Sequence, residues 1–123
     1  MKKTRPVNLN LAALQWPVTA ISSGLHRITG ILLFLCIPFC LWALQLSLTE
    51  SGFVEFKSVM SGVIAKLITW AILSMLGYHV VAGIRHLFMD AGIGESLEGA
   101  RLGSYIAISS GVVMAALLGV WIW

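Results

Sequence analysis

From Ser104 to Trp123 the chain carries no charged residue, and Ile28 to Leu44 is interrupted only by Thr29, Gly30 and Pro38. A third apolar stretch runs from Gly62 to Phe88, with Lys66 near its start. A hydrocarbon core of ~30 Å takes ~20 helical residues to cross. Lipid offers no partners to backbone N–H and C=O groups, so each stretch must satisfy its own as a helix. Composition supports this reading: 11% of the residues are charged, against about 25% in a soluble domain, and the mean hydropathy is +0.93. The expected fold is an all-α membrane protein with three transmembrane helices, and 123 residues leave room for one domain.

The apolar runs and their polar breaks divide the chain. Residues 1–21 read as a cytoplasmic or interfacial arm, 22–48 as the first span, 49–61 as a periplasmic loop and 62–89 as the second span. Residues 90–103 then form a cytoplasmic loop before the third span at 104–123. Pro17 suits a first helical turn, and Pro38 is expected to bend the first span. Ala107, Gly111, Ala115 and Gly119 recur every four residues, a small-residue face that lets another helix approach closely. Trp121 and Trp123 fit an interfacial anchor.

Charge sets the expected orientation. With the amino terminus inside, Lys2, Lys3, Arg5, Arg27, Arg85 and Arg101 lie on the cytoplasmic side, and Lys57 and Lys66 on the other. The net charge of +3 therefore reflects topology and implies no nucleic-acid partner. No secretory signal is expected, since a polar stretch separates the first basic residues from the first long apolar run. Cys36 and Cys40 lie four apart on one apolar helix, a poor arrangement for a disulfide, and read as packing residues.

Two polar clusters interrupt the hydrophobicity, and the topology brings both to the same leaflet. In the first, Ser23, His26, Arg27 and Gly30 fall within roughly 100° of helical arc. In the second, His79, Gly83, His86 and Asp90 share roughly 60°. His79 lies ~20 Å beyond Lys66 and ~16 Å before Asp90 at 1.5 Å per residue, well inside the bilayer. His26 and His86 lie near its cytoplasmic edge.

An imidazole that deep needs a partner. Three readings stay open for His79: axial ligand of a haem iron, hydrogen bonding to a Ser or Thr on a neighbouring helix, or a proton relay in a small transporter or channel subunit. Gly83 would let a flat macrocycle lie on the same face as His79. Arg27 reads as a snorkelling cation or as the partner of an anion such as a haem propionate, and Ser23 as a donor to a carbonyl oxygen or to its own backbone. Asp90 reads as a helix-end acid paired with Arg85, or as a group behind His86. Tyr78 reads as packing. No nucleophile–base pair, phosphate loop or paired carboxylates occur, so the chain alone is not expected to be a hydrolase or a nucleotide enzyme.

Arg5-Pro6-Val7 followed by Ser23-x2-His26-Arg27-x-Thr29 resembles the amino-terminal signature of the cytochrome b556 subunits of succinate dehydrogenase. His79-x3-Gly83-Ile84-Arg85-His86-Leu87-x-Met89-Asp90-x-Gly92 resembles the second signature of the same family. Together with the three spans, the resemblance covers essentially the whole chain. It implies the larger membrane anchor of complex II in a bacterial inner membrane. The implied partners are a flavoprotein subunit, an iron–sulfur subunit and a second small hydrophobic anchor that shares haem b. Electrons from succinate would pass by way of the iron–sulfur centres to ubiquinone.

By motif position His79 matches the axial haem-iron ligand. Ser23 and Arg27 match quinone-binding residues, and His26 with Arg27 the propionate side of the haem. The resemblance also implies that this chain does not itself oxidise succinate. The second axial ligand belongs to the smaller anchor, and a trimer of such heterotetramers is left open, as is the preferred quinone.

Overall fold

The computed structural model describes residues 16–123, which are helical apart from short connections, with no strand among them. The order is α1 (Val18–Ser47), α2 (Glu50–Met60), α3 (Val63–Asp90) and α4 (Leu97–Ile122). Three of these, α1, α3 and α4, are long and apolar enough to cross a membrane. The chain is thus an all-helical membrane protein. The arm expected at 1–21 lies outside the described residues as far as residue 15, as does Arg5-Pro6-Val7, and from Val18 onward its remainder is the first turn of α1.

Two connections differ from the sequence reading. The stretch 49–61, read as a loop with at most a short interfacial turn, holds the 11-residue α2. The Thr49 side chain caps it by accepting from the Gly52 N–H at 3.1 Å, with Glu50 in the first turn and Lys57 in the last, where each suits the helix dipole. The fourth helix begins at Leu97, inside the stretch read as the 90–103 loop. The Ser96 hydroxyl caps it through the Gly99 N–H at 3.1 Å, and Glu98 sits in its first turn. Hydrophobicity marks where a helix meets lipid, whereas a cap marks where it starts. Between α3 and α4, Gly92 and Gly94 take φ of 80° and 77°, the left-handed region that closes the turn without a Cβ penalty.

α3 is the central element and packs against both α1 and α4. Its contact with α4 is built on Tyr78, Ala82 and Ala107, the buried hydrophobic residues among those described, with Val81 and Ile108 beside them. A Cβ at Gly111 would stand 2.8 Å from Tyr78 Cδ2, so only glycine admits the ring at this depth. One turn on, the Trp70 indole N–H donates to the Ala115 carbonyl at 2.8 Å, with Gly119 beside the ring. The small-residue face of α4 is therefore the seat of two α3 aromatics. Large apolar side chains such as Phe34, Phe39, Leu48 and Val120 point outward. An outer surface of this kind is compatible with lipid or partner helices.

Candidate functional site

The contact between α1 and α3 is built differently, around two adjacent residues of α3 that reach successive turns of α1. The Tyr78 hydroxyl donates to the Ser22 carbonyl at 2.8 Å. With its proton committed there, the phenol oxygen accepts from the buried Ser22 hydroxyl at 3.2 Å. One residue along, His79 Nδ1 lies 3.1 Å from the His26 carbonyl and 3.1 Å from Thr29 Oγ1. The threonine proton is directed into its own helix, toward Leu25 O at 2.8 Å and His26 O at 3.0 Å. Both atoms facing Nδ1 are therefore acceptors. Nδ1 must carry the proton, and in the neutral imidazole Nε2 then keeps the lone pair. Among the described residues Nε2 has no hydrogen-bond partner.

The imidazole is seated on Gly30, where a Cβ would come within 2.9 Å of His79 Cε1. The His26 ring stacks on the His79 ring, centroids 4.1 Å apart and planes 16° from parallel. His86 adds a tilted contact to His26 at 5.0 Å and 47°. Stacking covers a face of the His79 ring but leaves its edge, where a ligand to Nε2 would bond. His26 Nε2 is buried and without a hydrogen-bond partner among the described residues, an arrangement that calls for a further polar group. Beside the rings lies an open concavity of about 560 Å³, lined by His26, Arg27, Gly30, Ile31, Phe34 and His79. It is an apolar hollow with a cation at its edge and an imidazole at its wall. The imidazoles stack instead of converging, and among the described residues no group of His, Cys, Asp or Glu is arranged to hold a bare metal ion.

The residues singled out from the sequence are brought together unequally. His26, Arg27 and His79 line one concavity, and His86 touches it through His26. Ser23 is half-buried and does not line it; the neighbouring Ser22 is the buried serine, tied to Tyr78. Gly83, expected to make room on the His79 face, faces His26 Nε2, which would lie 3.6 Å from an added Cβ. Gly30, on the opposite helix, makes room for the His79 ring itself. Asp90 is exposed, and Arg85 donates to the Ala100 carbonyl at 3.1 Å, bridging to α4 instead of pairing with Asp90. Cys36 and Cys40 are both free.

Thr29, Gly30 and Ser22 are the contributors that the sequence reading passed over. Thr29 and Gly30 stood within the first cluster, and what identifies their roles is the helix across from them.

A family model described as the succinate dehydrogenase/fumarate reductase transmembrane subunit matches residues 1–123. A succinate dehydrogenase cytochrome b556 subunit of Coxiella burnetii is 38% identical over 125 residues, covering all of both chains. One from Paracoccus denitrificans is 36% identical and covers 92% of this chain and 88% of its own. The cytochrome b560 subunit of Reclinomonas americana is 30% identical over 99% of this chain and 88% of its own.

Proposed function

This chain belongs to the family of succinate dehydrogenase/fumarate reductase transmembrane subunits, and from that premise we propose that it binds haem b through His79 and helps form a ubiquinone-reduction site. The observation that carries the reading is the committed Nδ1–H of His79. A histidine that ligates a metal commonly donates its other ring N–H to a carbonyl or carboxylate, which fixes the tautomer and aims the lone pair. Here the His26 carbonyl and Thr29 Oγ1 fill that role, and the His79 ring lines an apolar concavity. Haem b, when bound, accepts and returns single electrons.

The remaining side chains fit the same purpose. Arg27 is exposed at the edge of the concavity, where a guanidinium would pair a propionate or stabilise negative charge developing on a quinone oxygen. The buried His26 Nε2, without a partner among the described residues, would offer the propionate side a second polar contact. Ser23 lies one turn before Arg27 and would orient the quinone carbonyl. A quinone head that takes up protons needs access to water, while its isoprenoid tail needs lipid; the amino-terminal end of α1 meets both requirements.

The concavity is open on one side, which suits a site completed by another chain. The proposed partners are a second small anchor carrying the other axial ligand, an iron–sulfur subunit that delivers electrons and a flavoprotein that oxidises succinate. The chain would sit in a bacterial inner membrane with its amino terminus cytoplasmic.

A reduced-minus-oxidised absorption spectrum of the purified complex tests the reading. A b-type signal is expected in stoichiometry with flavin. Its absence from the wild-type complex would remove His79 from the role of haem ligand, and solute flux without soluble partners would favour a transporter.

A further inference from the structure

Thr29 is buried, and its single hydroxyl proton is held within α1, 2.8 Å from Leu25 O and 3.0 Å from His26 O. Back-bonding of this kind is common for threonine in membrane helices. What is not explained by it is the second neighbour. Oγ1 also lies 3.1 Å from His79 Nδ1, on the side where its lone pairs remain. The back-bond thus turns a group that can donate or accept into an acceptor facing the imidazole. With the His26 carbonyl at 3.1 Å it forms a two-acceptor seat for the Nδ1 proton.

We propose that Thr29 is a positioning residue that tunes the haem through His79. The inference rests on His79 being the axial ligand. An acceptor at Nδ1–H makes the imidazole a stronger electron donor at Nε2. A stronger axial donor stabilises oxidised iron more than reduced iron and so lowers the reduction potential. Two acceptors in place of one hold the potential lower than the backbone carbonyl alone would. They also lock the ring about its Cβ–Cγ bond over Gly30.

The test is a potentiometric titration of the haem optical signal in the whole complex, with haem-to-flavin ratio measured alongside. Thr29→Val keeps the shape and removes the oxygen. The midpoint potential is expected to rise, with haem content near wild type, while Thr29→Ser, which keeps the hydroxyl, stays at the wild-type potential. Thr29→Ala gives the same comparison where valine excludes the haem. An unchanged or lowered potential in a haem-loaded Val or Ala variant overturns the proposal, as does a serine variant that shifts with them. If Val and Ala both lose the haem while Ser retains it, the hydroxyl is what holds the ligand, as proposed. Loss in all three shows that the methyl group matters, and the proposal fails. Retention of haem by His79→Ala would instead sink the ligand assignment itself, independently of any result at Thr29.

Discussion

Where α3 meets α4, aromatic rings settle into gaps left by missing side chains. Where it meets α1, polar atoms reach backbone carbonyls. Tyr78 belongs to both contacts: its ring lies on Gly111 and its hydroxyl bonds to Ser22 O. The α4 contact buries Ala82 and Ala107 and is held largely by close approach of small residues, with hydrogen bonds from Trp70 and Arg85 to α4 carbonyls beside it. The α1 contact adds directed hydrogen bonds from Tyr78 and His79 to the close approach at Gly30, and leaves an open hollow at His79. On the proposed function, one helix thus keeps one side for assembly and the other for chemistry.

Substitutions on the two sides should therefore fail in different ways. The largest effect is expected at Arg27. Removing a charge-assisted hydrogen bond of ~1.5–3 kcal/mol should lower quinone reduction by Arg27→Ala about ten- to a hundredfold. Succinate oxidation with a soluble dye acceptor should be unchanged; loss of the dye activity as well would place Arg27 with the assembly contacts.

On the other side, Gly111→Val drives a methyl group into the Tyr78 ring, which already stands 2.8 Å from a Cβ position. Overpacking of this kind costs about 1–3 kcal/mol, and thermal denaturation of the complex should register it as a lower midpoint. Any haem that remains should have a normal spectrum; an altered spectrum with unchanged stability would contradict the division.

Gly30→Ala is the counterpart on the α1 side. The added carbon meets His79 Cε1 at 2.9 Å, and the imidazole has to move. Haem content should fall while the complex still assembles, as read from haem-to-flavin ratios; full haem with a lowered thermal midpoint would make Gly30 a packing residue.

The smallest effect on the haem is expected from Tyr78→Phe, which keeps the ring on Gly111 and removes both hydrogen bonds to Ser22, each worth a net ~0.5–1.5 kcal/mol. A slight fall in thermal midpoint with normal haem content is the expected result, and wholesale haem loss would show that the two contacts are not separable.

The three long helices were legible because lipid imposes an uninterrupted apolar run, and no other feature of the sequence competes with that signal. α2 was not, since Phe53, Val54 and Phe56 lie among polar residues and the stretch is short, so its helicity depends on the Thr49 cap and contact with its neighbours. His79 stood out by depth alone. Its seat did not, because helical periodicity says which residues share a face and is silent on which helix lies opposite. Gly30, which seats the His79 ring from across the interface, could be found only by knowing which helix that is. Ser22 and Ser23 are adjacent serines, and only packing separates the buried one from the half-buried one.

The central claim is that depth and a committed Nδ1–H distinguish one histidine from the two beside it. Haem content of the purified complex, measured by reduced-minus-oxidised difference spectra for His79→Ala and His86→Ala, tests it most directly. The account predicts that His79→Ala loses most of the b-type signal and that His86→Ala, whose ring meets the cluster only through His26, keeps most of it. Equal loss from both variants, or retention in His79→Ala, would contradict it.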